Sequence, residues 1–252
     1  MNSAGIDHPE IIKKYFKYQE DIDDYNKNDI IKLEEEYYFS EYYQILIDNK
    51  INTPLSRITT LNRLYKKPKK INKIIKTQFN GEVFARLDRC SSKPELFFKN
   101  SGEIKQSLKL SVRTNQFLDD KKHKLILREY IKDINDYYEL RCIVHNEHLR
   151  GVSGPLNIPS KINLNIFKQN IIRFIKNICH CTDYICATID ILIKKDDIYN
   201  IEKYIVIEIN PPVWLTATSG LFELDNPEDT NILFGNLCEY INYPIIKYTI
   251  TE

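Results

Sequence analysis

The chain has 252 residues, with 36 Lys and Arg against 35 Asp and Glu, and its formal net charge of +1 argues against a nucleic-acid or membrane-surface binder. Aromatic residues make up 12% of the chain, which argues against a disordered protein. We see no signal-peptide core, no apolar run of the roughly 20 residues that cross a bilayer, and no C-x-x-C pair among the cysteines, so we expect a cytoplasmic protein with free thiols.

The first part of the chain is predicted to be helical. Between residues 8 and 49, apolar side chains such as Ile12 and Phe16 recur at helical spacing. We therefore expect residues 1–80 to form a helical N-terminal region that packs on the core. The basic stretch at residues 64–76 has two interpretations, a solvated helix face or a surface for an acidic partner, and the first is the more common.

Strands dominate the middle of the chain. Residues 82–88 alternate between apolar and polar, and residues 124–131 form an apolar run that ends in polar side chains. Residues 139–154 are typical of a hairpin with its turn at Asn146 and Glu147. A helix is then predicted, with one apolar face formed by Phe167, Ile171, Phe174, Ile175 and Ile178.

Two further apolar strands are predicted at residues 185–193 and 204–210. Because only a short polar segment joins them, we expect them to be antiparallel neighbours. Helices and strands mix without βαβ alternation, which indicates an α+β fold with mixed or antiparallel sheets and flanking helices. We expect two lobes, at residues 81–130 and 131–252.

The second of these strands is expected to present two polar side chains together. Alternate residues of a strand share a face, which places Ile205, Ile207 and Ile209 on one face. Glu208 and Asn210 then project side by side from the other face, at the end of the strand.

A carboxylate in the neighbouring strand suggests a metal site. Asp190 is the one charge in that apolar strand, and a lone carboxylate there is costly unless it is compensated. Asp190, Glu208 and Asn210 would meet across the two strands and suit Mg²⁺, which prefers oxygen ligands and keeps water and phosphates in its shell. Pro211 and Pro212 would end the strand and leave the site open. The alternative is that both carboxylates pair with Lys or Arg.

Basic residues elsewhere in the chain would suit phosphates. The segment FARLDRCSSKPE supplies Arg86, Arg89 and Lys93, together with the hydroxyl of Ser91. Arg141 lies on a predicted strand, and its planar guanidinium suits bidentate phosphate contact. For each residue taken singly, an ordinary surface ion pair is the alternative.

These pieces, in this order, resemble the cell division cycle protein 123 family, a divergent branch of the ATP-grasp fold. The resemblance runs from about residue 83 to residue 225 and is carried by four blocks: FARLDRCSSKP, LILREYIKDINDYYELRCIVHNEHLRGVSG, CATIDILI and VIEINPPVWLTATSGLF. The second block, with its L-R, E-L-R-C and L-x-G-V-S elements, is the most specific.

The resemblance implies a two-lobed ATP-grasp-like fold that binds ATP and Mg²⁺ between its lobes. It also implies an assembly factor for eukaryotic translation initiation factor 2, acting on the γ subunit. By position, the implied ATP-binding residues are Arg86, Arg89, Ser91, Lys93, Arg128, Glu129, Tyr130, Ile131, Glu139 and Arg141. The implied metal ligands are Asp190, Glu208 and Asn210.

Some positions depart from the family pattern. Arg86 stands where the family usually has Lys, and Arg89 where an aromatic residue is common. Pro155 replaces a basic residue, and residues 1–80 resemble the family poorly. An ATP-grasp carboxylate–amine ligase that acts through an acylphosphate is the alternative function, and a protein-binding module with a vestigial nucleotide site is the third.

Overall fold

The computed structural model describes residues 37–88, 97–120, 122–153, 157–159, 163–184, 186–211, 226–229, 245–246 and 249–251. The chain divides into two compact units. The three-stranded unit comprises Tyr38–Ser40 and Pro54–Ile134, and the five-stranded unit comprises the remainder, including Glu41–Thr53 and Asn135–Glu252. Residues 54–80 are grouped with the three-stranded unit, and residues 41–53 with the five-stranded unit. The helices predicted before Tyr37 lie outside the described residues.

Helix α1 spans Phe39–Asp48, and its first two residues are grouped with the three-stranded unit. The other described elements of that unit are, in chain order, β1 (Ser56–Thr60), α2 (Leu61–Lys66), α3 (Pro68–Gln78), β2 (Val83–Leu87), α4 (Ser101–Leu110), α5 (Val112–Asn115) and β3 (Lys124–Glu129). The strand at Ser56–Thr60 was not predicted, because residues 1–80 were expected to be helical.

Strand β3 is the centre of the three-stranded sheet, with β1 and β2 antiparallel on either side. Burial of its apolar side chains explains why the sequence reads as a continuous apolar run. Leu125 and Leu127 of this strand pack with side chains from α2, α3 and α4 in one hydrophobic core, which includes Leu61, Leu64, Ile71, Ile75, Val83, Leu87, Ile104 and Leu108.

Local sequence signals set the helix boundaries in this unit. The Thr60 side chain accepts a hydrogen bond from the backbone N–H of Arg63 and caps the start of α2. Pro68 opens α3, where its missing N–H is no loss. Asn100 caps α4 by accepting from the backbone N–H groups of Gly102 and Glu103.

The described elements of the five-stranded unit, besides most of α1, are β4 (Tyr137–His145), β5 (His148–Ser153), β6 (Asn157–Pro159), α6 (Leu164–Thr182), β7 (Ala187–Lys194), β8 (Ile205–Asn210), β9 (Ile245–Ile246) and β10 (Thr249–Thr251). The large sheet has the order β8-β7-β4-β5-β9, with β9 parallel to β5 and the other neighbours antiparallel. Strands β6 and β10 form a separate parallel pair. Short 3-10 turns lie at Ile134–Asp136, Lys195–Asp197 and Ile201–Lys203.

The predicted hairpin is confirmed. Strands β4 and β5 are antiparallel and are joined by Asn146 and Glu147. Both turn residues have positive φ, 52° and 63°, as a two-residue type I′ turn requires. Asn tolerates this conformation well, but Glu does not.

The predicted helix face is also confirmed, in α6. Its apolar stripe is buried along the whole helix, at Phe167, Ile171, Phe174, Ile175 and Ile178. Of the described helices, none is long and apolar enough to cross a membrane. The cysteines in the described residues carry free thiols, as predicted; they are Cys142, Cys179, Cys181 and Cys186.

Strands β7 and β8 are antiparallel neighbours, as predicted, but β8 contains a bulge that the sequence pattern did not predict. Asp190 pairs with Glu208, and the next residue of β7, Ile191, pairs with Val206, so Ile207 is an extra residue. The expectation that Ile205, Ile207 and Ile209 share one face is therefore wrong. Val206 and Ile209 are the buried pair, whereas Ile207 is only half-buried.

Candidate functional site

The sheet register brings polar side chains of three strands of the five-stranded unit into one row. Arg141 of β4 lies opposite Asp190 of β7, which in turn lies opposite Glu208 of β8. Asn210, two residues further along β8, lies opposite Thr188. Because directly paired residues of neighbouring antiparallel strands project to the same side of a sheet, these side chains share one face.

An ion pair forms the centre of this row. Arg141 donates from Nε to Asp190 Oδ1 at 2.7 Å and from Nη2 to Oδ2 at 2.6 Å, which is a bidentate arrangement. Asp190 is buried, with 6% of its surface exposed. Asp190 therefore has an Arg partner, as the alternative interpretation of its sequence pattern expected.

The surroundings of the ion pair shift the pKa values of both Asp190 and Arg141. Burial raises the pKa of Asp190 to about 6, against the lowering effect of Arg141, and the charges of Glu208 and Glu139 raise it further. Burial alone would lower the pKa of Arg141, but its hydrogen bond to Asp190 and the surrounding carboxylates raise it. Both groups are therefore charged at neutral pH.

Asn210 completes the contacts of Asp190. Its Nδ2 donates to Asp190 Oδ2 at 3.3 Å, so the Asp190 carboxylate accepts three hydrogen bonds from Arg141 and Asn210. Glu208 is half-buried beside it. The three predicted metal ligands thus lie together at one end of two neighbouring strands.

These residues fit a magnesium ion only if water and phosphates complete its coordination shell. In the described part of the chain, no group of three or more His, Cys, Asp or Glu side chains could hold a metal ion. Arg141 and Asn210 use most of the acceptor capacity of Asp190, which leaves Glu208 as the principal carboxylate. Mg²⁺ that takes one or two carboxylates and fills its shell with water and phosphates suits this donor set.

Thr188 is a neighbour of the row that the sequence pattern did not single out. It lies two residues before Asp190 on the same face of β7 and is fully buried. Among the described residues its Oγ1 has no hydrogen-bond partner, which is unusual for a buried hydroxyl. The threonine in CATIDILI was the available signal, but a Thr in a buried strand is common and indicates no site by itself.

Glu139 and Arg141 lie two residues apart on β4, as predicted, and differ in exposure. Glu139 is exposed and lies opposite Leu192, whereas Arg141 is half-buried against Asp190. Ser153 of β5 lies opposite Arg141 on its other side and is fully buried. A guanidinium held on one side by a carboxylate has a fixed orientation, which suits recognition of a phosphate.

The remaining predicted ATP-binding residues that the structure describes belong to the three-stranded unit. Arg89, Ser91 and Lys93 lie outside the described residues. Arg86 lies in β2 and is buried, with 4% of its surface exposed. Its guanidinium donates to the backbone carbonyls of Leu87 at 3.1 Å and Asp88 at 3.4 Å.

Arg128 lies in the central strand β3 and is also buried. Its guanidinium carbon lies 5.3 Å from the centre of the Phe39 ring, within the range of a cation–π interaction.

Both the backbone and the side chain of Glu129, which follows Arg128, are hydrogen-bonded to Leu55. The backbone N–H of Glu129 donates to Leu55 O at 2.7 Å, so this group is already bonded. The Glu129 carboxylate in turn accepts from the backbone N–H of Leu55 at 3.3 Å. Tyr130 packs its ring against Phe97, with the centroids 5.0 Å apart, and Ile131 is half-buried.

Comparisons with known proteins bear on the fold. No protein-family model matches the chain, and no curated protein matches it either. Among solved structures, Cdc123 from Schizosaccharomyces pombe aligns with a TM-score of 0.67 and 17% identity, covering 90% of this chain and 99% of that chain. The C-terminally truncated form of that protein aligns with a TM-score of 0.64 and 18% identity, covering 89% and 98%.

A RimK domain ATP-grasp protein from Sphaerobacter thermophilus aligns with a TM-score of 0.47 and 10% identity, covering 72% of this chain and 60% of that chain. The likeness to the Schizosaccharomyces pombe structures extends over nearly the whole of both chains. The chain therefore has the fold seen in the Schizosaccharomyces pombe Cdc123 structures, and the predicted α+β class is confirmed.

Proposed function

We propose that this chain binds ATP with Mg²⁺ and acts as a cytoplasmic assembly chaperone for eukaryotic translation initiation factor 2, through the γ subunit. The observation that carries the proposal is the Cdc123 fold, which covers 90% of this chain and 99% of the Schizosaccharomyces pombe chain. The four sequence blocks that resemble the family support it independently, because they include the residues of the polar row.

In this proposal, Glu208, Asn210 and Asp190 hold Mg²⁺. The ion would neutralise phosphate charge and orient the phosphates of the bound nucleotide. Glu208 contributes the main carboxylate, since Asp190 is hydrogen-bonded by Arg141 and Asn210. Asp190 then acts mainly by fixing the orientation of Arg141 and Asn210.

The nucleotide contacts are proposed from position in the family pattern. Arg141 and Glu139 would contact the ribose or the phosphates. The segment Arg128, Glu129, Tyr130 and Ile131 would line the adenine. The phosphate contacts would come from Arg86, Arg89, Ser91 and Lys93.

Thermal unfolding tests the nucleotide part of the proposal. Melting is measured for the full chain without ligand, with ATP alone, and with ATP and Mg²⁺. A ligand that binds only the native state at one hundred times its Kd adds about 2.7 kcal/mol of stability. We expect the melting temperature to rise most when both ATP and Mg²⁺ are present, and the absence of any rise would overturn this part.

A matched pair of variants tests whether the rise in melting temperature with Mg²⁺ depends on Glu208. Glu208→Gln keeps the size of the side chain but removes its charge, and we expect it to abolish the extra rise due to Mg²⁺. Glu202→Gln is the control, because Glu202 is exposed in the turn at Ile201–Lys203 and is outside the polar row. Equal responses of the two variants would remove Glu208 from the metal site.

The partner part has its own test, a binding measurement between the purified chain and the purified γ subunit with and without ATP and Mg²⁺. Binding that strengthens with nucleotide supports the chaperone. No binding, together with ATP consumption that a small amine or amino acid stimulates, would favour the carboxylate–amine ligase instead. The nucleotide part and the partner part of the proposal can therefore be overturned independently of each other.

A further inference from the structure

A strongly basic surface covers two helices of the three-stranded unit. From Leu61 to Gln78 the sequence contains no Asp or Glu, and it contains the cations Arg63, Lys66, Lys67, Lys69, Lys70, Lys73 and Lys76. The net charge of the whole chain is only +1. The positive charge is therefore concentrated in helices α2 and α3 and is not spread evenly over the protein.

Helices α2 and α3 meet at a groove of about 450 Å³, which we call the basic groove. It is lined by Thr60, Asn62, Arg63, Lys66, Lys67 and Lys70. In the part of the chain that the structure describes, none of its four cations forms an ion pair with a carboxylate. Like charges that are brought together without partners are complementary to an anionic ligand.

The base of the groove is firmly anchored. Leu61 and Leu64 of α2 are fully buried, as are Ile71 and Ile75 of α3, and all four belong to the core of the unit. Lys67 separates the two helices, and Pro68 begins the second one. The apolar face fixes both helices on the core, so the opposite face can hold its cations in a constant arrangement.

The positive charge continues beyond the groove. Lys105 of α4 lies over the ring of Tyr65 in α2, with its Nζ 5.1 Å from the ring centre. On α3, Lys73 and Lys76 are exposed and extend the basic surface away from the groove. An extended anion fits this distribution better than a compact one does.

The groove chemistry favours a peptide over a nucleic acid. Single-stranded nucleic acids are held by aromatic rings that stack on the bases, and no aromatic side chain lines the groove. One face of the nearby Tyr65 ring is covered by Lys105. Three of the four groove cations are Lys, which interacts with carboxylates as a point charge.

We propose that the basic groove is a docking surface for an acidic segment of a partner protein. Arg63, Lys66, Lys67 and Lys70 would bind Asp and Glu side chains of an extended or helical segment. Thr60 and Asn62 would add polar contacts at the edge of the groove. This docking does not depend on bound nucleotide and goes beyond the proposed nucleotide site.

The test uses the full chain and a fluorescein-labelled peptide of alternating Asp, Glu and Gly, with binding measured by fluorescence anisotropy at low and physiological salt. The groove variant is Lys66→Glu with Lys70→Glu. The control is Lys69→Glu with Lys109→Glu, which makes the same charge change at exposed positions that do not line the groove. Melting curves verify that both variants are folded.

We expect the groove variant to bind the peptide at least about tenfold more weakly, and the control less than about threefold more weakly. Binding should also weaken as salt is raised. Equal losses in the two variants would overturn the proposal, because they would show attraction by general charge. No binding of the peptide to the wild type would overturn it as well.

A labelled oligothymidine of the same length tests whether the basic groove binds nucleic acid and not an acidic peptide. Weaker binding of the oligonucleotide than of the peptide supports the proposal. Tighter binding of the oligonucleotide, with the same dependence on Lys66 and Lys70, would overturn it in favour of a nucleic-acid surface.

Discussion

Two arginines, one in each unit, lie against different kinds of partner. Arg141 lies in strand β4 of the five-stranded sheet and is bound on two of its nitrogens by the Asp190 carboxylate. Arg128 lies in the central strand of the three-stranded sheet, with its guanidinium over the face of Phe39 at 5.3 Å. A carboxylate fixes both the position and the orientation of a guanidinium, whereas a ring fixes mainly its position. The first arrangement suits a group that must present its remaining donors in one direction.

The largest effect is expected from breaking the ion pair. Asp190→Ala leaves Arg141 without its bidentate partner in a site that is mostly buried. Loss of one partner of a buried pair costs about 3–5 kcal/mol, so we expect the free energy of unfolding to fall by about that amount. Urea unfolding followed by circular dichroism measures it.

A double variant separates the loss of the pair from the burial of a single charge. Arg141→Met with Asp190→Leu removes both charges, and we expect its stability to lie well above that of Asp190→Ala, because apolar replacements of buried pairs are often neutral. A double variant as unstable as Asp190→Ala would show that the pair is not the source of the loss.

A smaller effect is expected when the ring under Arg128 is removed. Phe39 is buried, with 1% of its surface exposed. Phe39→Leu loses the cation–π contact and part of the packing, and we expect a destabilisation of about 1–3 kcal/mol in urea unfolding. Phe98→Leu is the matched control, since Phe98 is a buried core ring of the same unit. Equal losses in both variants would show that the ring acts only by packing.

A third arginine, Arg150 of β5, is buried and affects how the stability of the protein depends on pH. Burial, together with the charge of Arg150, lowers the pKa of His145 from 6.5 to about 4. The unfolded chain therefore binds more protons than the folded chain between these values, so stability falls as the pH drops from about 6.5 towards 4.

The variant His145→Gln removes this titration. We expect the difference in unfolding free energy between wild type and variant to change between pH 7 and pH 4.5, in favour of the variant at the lower pH. A constant difference across this range would contradict the prediction. His145 Nδ1 lies 3.3 Å from Cys186 Sγ, so the variant is compared with Cys186→Ser to separate the contact from the charge.

The smallest expected effect concerns the turn that joins the strand of Arg141 to the strand of Arg150. Glu147 has a φ of 63°, which is unfavourable for a residue with a Cβ atom. Glu147→Gly removes that strain, and we expect an increase of about 0.5–1 kcal/mol in unfolding free energy, measured in urea. Glu147→Ala keeps the Cβ atom and is the control, with little change expected. A gain in both variants would point to the charge of Glu147 and not to its backbone.

The features that were predictable from the sequence are those that depend on local patterns. The turn at Asn146 and Glu147 and the helix stripe from Phe167 to Ile178 were predicted, because turn residues and periodicity identify them. The pairing of Arg141 with Asp190 was not, although both residues were singled out, because it depends on the register of β4 against β7. Thr188 was missed for the same reason, since only the fold shows that its hydroxyl has no partner within the described part of the chain.

The bulge at Ile207 has a consequence for any sequence change in this strand. Ile207 has no partner in β7, and the pairs on either side of it are kept, with Val206 opposite Ile191 and Glu208 opposite Asp190. Deletion of Ile207 would remove the bulge and leave a regular ladder in which Glu208 still lies opposite Asp190 and Asn210 still lies opposite Thr188. A homologous chain that lacks a residue at this position can therefore still bring both side chains beside Asp190.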